Sequence, residues 1–220
     1  MARQDQEQDQ KDGPALCVVV TAGSSHDALA DVLKRAHPAS VIIAPSDSEP
    51  LTAANARPLV ELVQSQEIAA LIYGDAQLAR TLRADGVHLP WHQDVVAQYG
   101  EARDILGTRY IVGIDVGRSR HDAMTLAEEG ADYIGFGIPP HVEDREAAGN
   151  RRRELVAWWS EIFEVPCIAL DVETPEEAET LSAAGADFIA LVPSCALTAD
   201  EFATLRDAIV AAAPVREEVA

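Results

Sequence analysis

Short aliphatic runs alternate along the chain with longer stretches in which apolar residues recur at helical spacing. The runs are nearly uniform in hydrophobicity, which is typical of parallel strands that are buried on both faces. Each interval between two runs is long enough for a helix that crosses from one parallel strand to the next. The predicted strands cover residues 16–21, 40–44, 69–73, 86–89, 110–116, 133–137, 167–171 and 188–192.

The intervals between the strands carry recognisable helix boundaries. Thr174-Pro175-Glu176-Glu177 is a strong helix start, with a capping Thr, a Pro at the first helical position and acidic residues in the first turn. The last helix is predicted over residues 199–212, and a polar loop over 141–153 precedes a helix that carries Trp158 and Trp159. These two indoles suit helix packing or a subunit contact, which leaves a homo-oligomer open.

One βα unit recurs along the chain as a helix stop, an acidic residue and an apolar run. It is clearest at residues 130–137 and 185–192, and looser at 84–89. These three copies, within eight strands that alternate with eight helices, predict an α/β fold, either a closed (β/α)₈ TIM barrel or an open doubly wound sheet. The open sheet usually carries a GxGxxG turn after its first strand, whereas this chain has Thr21-Ala22-Gly23-Ser24 there. The barrel is therefore favoured.

Length and charge limit the domain count and the classes of partner. The 220 residues suit a single compact barrel, which we expect over residues 15–213, between a disordered polar tail at 1–14 and a second tail at 214–220. The net charge of −20 excludes a general nucleic-acid or anionic-membrane surface, because polyphosphate binding needs a basic footprint. Aromatic residues make up only 5% of the chain, so the core must be aliphatic.

The cysteines and the first residues predict a cytoplasmic protein. Cys17, Cys167 and Cys195 lie in or just after apolar runs without CxxC spacing, so we expect buried, reduced thiols rather than a zinc site or disulfides. Residues 1–13 are polar and charged, without the apolar region of a signal peptide. No apolar run approaches the length that is needed to span a bilayer.

Aspartates fall at both ends of the predicted strands, and in a barrel the two ends have different functions. Asp85, Asp132 and Asp187 precede their strands and therefore belong to the bottom face, where we expect them to serve stability. Other carboxylates lie at the carboxyl ends of strands or just after them, and they belong to the face where barrel enzymes carry their active sites. This acidic rim contains Asp75, Asp94, Asp115, Asp171 and Glu173.

The acidic rim predicts a Mg²⁺ site, with Asp75 and Asp94 as the candidate ligands, because hard cations bind carboxylate oxygens. The competing interpretation is that both residues only cap helices. Ser194 follows the last strand, where many barrels bind phosphate through loop amides, and Gly137 allows a close approach of the backbone to a ligand. His88, within the fourth strand, is either a satisfied core residue or a pocket residue.

Four segments resemble the thiamine phosphate synthase and TenI family: residues 85–89 (DGVHL), 112–114 (VGI), 130–137 (GADYIGFG) and 185–192 (GADFIALV). Their order and spacing match from about Leu16 to Leu205. The resemblance implies a (β/α)₈ barrel that binds small phosphorylated ligands. It also implies the Mg²⁺-dependent joining of hydroxymethylpyrimidine diphosphate to thiazole phosphate, with release of diphosphate.

The chain departs from the family pattern where cations are needed. The Gln-x-Arg-x-Lys pattern of the second strand is replaced by residues 41–45 (VIIAP), and the phosphate turn after the seventh strand by Leu170-Asp171-Val172. Arg118 and Arg145 are the candidate replacement ligands for phosphate. Two other hypotheses stay open: a non-catalytic barrel that binds a small ligand or regulates a partner, and an unrelated phosphate-binding barrel enzyme that uses the acidic rim for a metal.

Overall fold

The structure is a computed structural model that describes residues 13–46, 48–139, 141–191 and 197–214. Within these residues the strands are β1 (Ala15–Thr21), β2 (Ser40–Ala44), β3 (Ala69–Tyr73), β4 (Gly86–Leu89), β5 (Ile111–Asp115), β6 (Tyr133–Phe136), β7 (Cys167–Val172) and β8 (Phe188–Leu191). They are parallel and form a closed ring in chain order, in which β1 pairs with both β2 and β8. The predicted (β/α)₈ TIM barrel is confirmed.

A helix follows each strand on the outside of the ring. Most helices begin at a Ser, Thr or Asp whose side chain accepts a hydrogen bond from the first turn, as at Ser25, Thr174 and Thr198. The helices are α1 (His26–Ala36), α2 (Ala53–Gln64), α3 (Ala76–Leu82), α4 (Val95–Leu106), α5 (Arg120–Glu128), α6 (Arg145–Ile162), α7 (Pro175–Ala183) and α8 (Ala199–Ala212).

The buried side chains form two layers. The larger layer lies between the strands and the helices and is mostly aliphatic, as the composition predicts. Trp159 is fully buried in it and donates its indole N–H to the Val165 carbonyl at 2.7 Å, which confirms the expected packing of this indole. The smaller layer fills the lumen of the barrel and includes Cys17, Ile42, Leu71, Tyr133 and Leu170.

The bottom aspartates, Asp85, Asp132 and Asp187, lock neighbouring strands together. Each lies just before a strand, and its carboxylate accepts a backbone N–H from the start of the preceding strand, which is the structural function expected from the sequence. Such charge-assisted bonds each contribute about 1.5–3 kcal/mol. They join Ala70 N to Asp85, Val112 N to Asp132 and Cys167 N to Asp187, at 2.8, 2.7 and 2.8 Å.

The polar loop predicted over residues 141–153 is wrong in its second part, because α6 begins at Arg145. Asp144 caps this helix by accepting a hydrogen bond from the Ala147 backbone N–H at 3.0 Å. The first turns of α6 are rich in Arg and Glu, so no apolar stripe marked the helix in the sequence. Within this polar stretch, Arg152 is buried, with an exposed fraction of 1%.

Several predictions concern residues near the chain ends. The expected tails at 1–14 and 214–220 fall mostly outside the described residues, so their disorder stays a prediction. Cys17 and Cys167 are buried free thiols, as expected, whereas Cys195 lies outside the described residues. Among the helices described, none has both the length and the apolar character to cross a membrane.

Candidate functional site

The carboxyl ends of the strands surround a cavity of about 280 Å³, which we call the mouth. Most of its wall consists of aliphatic side chains and prolines, among them Ile42, Ala44 and Pro45 of the segment that replaces the family's cationic pattern. Among the described residues that line it, none is a Lys or an Arg. Its polar lining residues are Thr21, Tyr73, His88, Asp115 and Asp171.

Two aromatic side chains, Tyr73 and His88, line the mouth, and we call them its floor. The strand register sets His88 beside Tyr73 on one side and beside Gly113 on the other. His88 Nδ1 lies 2.8 Å from the Tyr133 hydroxyl, and the two rings stack with their centroids 5.9 Å apart. Gly113 makes this stack possible, because a Cβ at that position would lie 2.0 Å from the Tyr133 ring.

His88 is both a hydrogen-bonded core residue and a pocket residue, which were the two alternatives that the sequence left open. The residue is 2% exposed and bonded to Tyr133, and it also lines the mouth. Burial lowers the pKa of His88 to about 4, since desolvation disfavours the imidazolium form. The ring at the floor is therefore neutral at pH 7.

Asp115, the last residue of β5, is buried at the side of the mouth with an exposed fraction of 8%. Its Oδ1 accepts the backbone N–H groups of Gly117 and Gly137, at 2.7 and 3.0 Å. The pKa of Asp115 is raised to about 7, mainly by burial and also by the negative charge of Asp171, whereas the hydrogen bonds from the two amides and the charge of Arg152 lower it. The carboxyl is therefore about half protonated near neutral pH.

Asp171, on β7, faces the same point as Asp115. The pairing of β7 with β8 is irregular between Ala169 and Val172, and Asp171 has a left-handed φ of 55° there. Its Oδ2 accepts the Ile138 N–H at 2.7 Å. A Cβ built on Gly137 would lie 2.5 Å from Asp115 Oδ2 and 2.9 Å from Asp171 Oδ2, so only glycine leaves room for both. We call Asp115 and Asp171 the mouth pair.

The two predicted metal ligands, Asp75 and Asp94, both cap helices. Asp75 Oδ1 accepts the Leu78 N–H at 2.8 Å, and Asp94 Oδ1 accepts the Ala97 N–H at 3.2 Å. Both residues are exposed, follow the neighbouring strands β3 and β4, and are absent from the lining of the mouth. Helix capping therefore uses only one oxygen of each carboxylate. The binding of a metal ion by Asp75 and Asp94 stays a prediction.

The predicted phosphate ligands that the structure describes, Gly137, Arg118 and Arg145, do not gather in the lining of the mouth. Gly137 lies at the mouth, but its N–H donates to Asp115. Arg118 is exposed, and Arg145 forms an ion pair with Glu173 at 3.2 Å; neither lines the mouth. Ser194 lies outside the described residues. Phosphate binding by these four residues stays a prediction.

Arg152 and the pairing of the mouth carboxylates were missed by sequence reasoning. Arg152 donates to the Leu170 carbonyl and to Glu177, and its buried Nε has no hydrogen-bond partner among the described residues. The one available signal for the mouth pair was that Asp115 and Asp171 lie at the carboxyl ends of β5 and β7, the strands on either side of β6. The signal for Arg152 was its spacing from Leu155 and Trp159, which puts the three residues on one face once α6 is extended to Arg145.

The donor atoms of the described residues can be compared with the ligands that Mg²⁺ requires. Among the described residues, no group of three or more His, Cys, Asp or Glu side chains is arranged to hold a metal ion. Mg²⁺ often needs only one or two carboxylates, with waters and substrate phosphates as its other ligands. Asp75 and Asp94 each use only Oδ1 in capping, so their second oxygens fit this limited demand.

Comparisons with known proteins agree with the resemblance seen in the sequence. The family model described as thiamine monophosphate synthase matches residues 16–194. The thiamine-phosphate synthase of Erythrobacter litoralis is 39% identical over 138 residues, which are 62% of this chain and 63% of that protein. The thiamine-phosphate synthase of Rhodospirillum centenum is 39% identical over 130 residues, which are 59% of this chain and 61% of that protein.

A solved structure supports the same fold. The thiamine phosphate pyrophosphorylase from Pyrococcus furiosus superposes with a TM-score of 0.66 over 91% of this chain and 98% of its own, at 17% sequence identity. An identity this low supports the fold alone. The family match extends over most of the barrel, from β1 through β8. The chain therefore belongs to the thiamine monophosphate synthase and TenI family.

Proposed function

We propose that this protein is a divergent thiamine-phosphate synthase, which joins hydroxymethylpyrimidine diphosphate to thiazole phosphate and releases diphosphate. The observation that carries the proposal is the family match over residues 16–194, together with a cavity at the end of the barrel where barrel enzymes carry their active sites. The matched regions cover only 63% and 61% of the two relatives, so the activity is carried over from the family rather than from a full-length match.

Mg²⁺ would be held by the free oxygens of Asp75 and Asp94, together with the diphosphate of the substrate. The ion supplies positive charge that stabilises the leaving diphosphate. Arg118 and Arg145 are the candidate cations of the chain itself, and Arg145 would have to leave Glu173 to reach a phosphate. Ser194, which follows β8 in the sequence, is the candidate ligand for the second phosphate.

Weakened or altered activity is part of the proposal. Aliphatic residues and Pro45 line the mouth where the family pattern has Arg and Lys. The loss of one electrostatic contact to a transition state typically costs about 3–4 kcal/mol, a factor of several hundred in rate. We therefore expect turnover well below that of a family member that keeps those cations.

The experiment is a thiamine phosphate assay with purified protein, both substrates and Mg²⁺. We expect product above the background without enzyme, with a loss of activity on chelation by EDTA. Asp75→Asn keeps a capping side chain but removes the charge, so it should raise the Mg²⁺ concentration required for half-maximal rate. Asp104→Asn, an equal charge change at an exposed position of α4, is the control.

Two results would reject this function. One is the absence of product at any Mg²⁺ concentration. The other is thermal stabilisation by thiazole phosphate without turnover and without any effect of Asp75→Asn, which would favour a ligand-binding barrel instead.

We place the protein in the cytoplasm, where reduced thiols such as Cys17 and Cys167 persist.

A further inference from the structure

Two buried residues of the mouth carry polar atoms to which no described residue is hydrogen-bonded. Asp115 uses Oδ1 for two backbone amides, and no residue of the described chain donates to its Oδ2. His88 uses Nδ1 for the Tyr133 hydroxyl, and its Nε2 has no partner among the described residues. Both residues are more than nine-tenths buried and line the mouth, so these atoms are available to a ligand.

The charge of the mouth selects against a bare phosphate. Two carboxylates approach the same point at Gly137, and no cationic side chain of the described residues lines the cavity. Arg152 makes its hydrogen bonds with Leu170 and Glu177 and is not part of the lining. A phosphate at this point would meet like charge in a partly desolvated setting, whereas a cation would be attracted.

The shape of the mouth favours a flat, largely apolar cation. The walls are aliphatic, and Tyr73 and His88 present aromatic rings at the floor, with their centroids 5.8 Å apart. Aromatic faces attract cations, and a ring-shaped ligand removes apolar surface from water. An inorganic cation would not cover the apolar surface of these walls.

We propose that the mouth pair, Asp115 and Asp171, binds a heteroaromatic cation of the thiazolium type, with its ring against the floor formed by Tyr73 and His88. The inference deepens the proposed function and rests on it for the ligand class. When a thiazole nitrogen bonds to the methylene carbon of the pyrimidine, the diphosphate leaves with the bonding electrons and the product carries a permanent positive charge. The mouth pair would stabilise that charge.

The binding should depend on pH. The groups that face Asp115 are Asp171 of β7, Tyr73 of β3, His88 of β4, Tyr133 of β6 and, through its charge, Arg152 of α6. Burial raises the pKa of both tyrosines and lowers that of His88, so these three groups stay neutral between pH 6 and 8. Because Asp115 ionises in this window, cation binding should strengthen as the pH rises from 6 to 8.

The test compares two matched probes by isothermal titration calorimetry at pH 8. One is an N-methylated thiazolium and the other is the neutral thiazole with the same substituents. The wild-type protein should bind the cation more tightly by roughly tenfold, and Asp115→Asn should remove most of this preference. The variant should fold, because Asn keeps the acceptor oxygen for Gly117 and Gly137.

Two further variants separate charge from geometry. Gly137→Ala keeps both carboxylates but places a methyl group where their oxygens meet, so it should also reduce the preference. Asp122→Asn changes the net charge equally in the first turn of α5, outside the lining of the mouth, and should leave the preference unchanged.

Equal affinity of the wild type for the two probes would overturn the inference. An equal loss of affinity for both probes in Asp115→Asn would overturn it as well. Binding of Mg²⁺ alone that requires Asp115, without any preference for the organic cation, would overturn it too and assign the mouth pair to a metal. Cation preference in a protein that forms no thiamine phosphate would uphold this inference while the proposed synthase activity failed.

Discussion

The two ends of this barrel use the same residue type for opposite purposes. At the bottom, each aspartate accepts a backbone N–H of the neighbouring strand, and Asp132 also has Arg103 at 2.8 Å. At the mouth, Asp115 is buried without a cation in hydrogen-bond contact, and its Oδ2 has no donor within the described chain. The bottom carboxylates are satisfied by the fold, whereas the mouth pair is satisfied only in part.

The difference shows where the molecule tolerates unfavourable electrostatics. Burying Asp115 beside Asp171 raises its pKa to about 7, which means that ionisation at neutral pH opposes folding. Such a cost is expected at a site that serves a ligand and not at a site that serves stability. Three changes would break or sharpen this contrast.

The largest expected effect is the pH dependence caused by Asp115. Its pKa is raised from 3.8 to about 7, so between these values the folded state binds more protons than the unfolded state, and the free energy of unfolding falls as the pH rises. Asp115→Asn removes this ionisation. From pH 4 to pH 8, the wild type should lose up to about 4 kcal/mol relative to the variant. Urea unfolding at both pH values measures this difference, and parallel pH profiles for the two proteins would contradict it.

The next effect concerns the bottom face. Asp132→Ala leaves the Val112 N–H without its acceptor and removes the carboxylate partner of Arg103, so the free energy of unfolding should fall by about 1.5–3 kcal/mol. Asp104→Ala, at an exposed position beside Arg103 on α4, should change it by less than about 0.5 kcal/mol. Denaturant unfolding at pH 7 checks both variants, and equal losses would show that the bond to Val112 contributes nothing specific.

The smallest effect concerns the helix cap at Asp75. Asp75→Ala should lower the free energy of unfolding by about 1 kcal/mol, because the Leu78 N–H loses its acceptor. Asp75→Asn should cost only a few tenths of a kcal/mol, since Asn caps nearly as well as Asp. Thermal unfolding of the two variants provides the measurement. If Asn costs as much as Ala, the charge of Asp75 rather than its hydrogen bond supports the fold.

The architecture could be predicted because each strand is marked by local sequence. The β3 and β4 boundaries follow directly from aliphatic runs that end at Gly74 and Pro90, and the repeated Gly-Ala-Asp segment places Asp132 and Asp187 at the bottom. The start of α6 could not be predicted in this way, since Arg145 to Arg153 lacks an apolar stripe and the capping by Asp144 depends on a single side chain.

The candidate site could be predicted only in part. The sequence placed Asp115, Asp171 and His88 at or near the carboxyl ends of strands, which is where the mouth lies. Their grouping depends on long-range features: the left-handed turn at Asp171, the space above Gly137 and the stack of Tyr133 on His88 beside Gly113. None of these has a local signature. Burial, which sets the pKa of Asp115, likewise emerges only when the ring closes.

The most direct test of the contrast between the two ends is the thermal shift caused by thiamine phosphate at pH 8, measured for the wild type, Asp132→Ala and Asp115→Asn. Asp132→Ala should unfold at a lower temperature than the wild type but keep the full ligand-induced rise. Asp115→Asn should be at least as stable as the wild type without ligand and should lose most of the rise. If Asp115→Asn keeps the full rise while Asp132→Ala loses it, the assignment of the mouth pair to the ligand and of the bottom aspartates to the fold is contradicted.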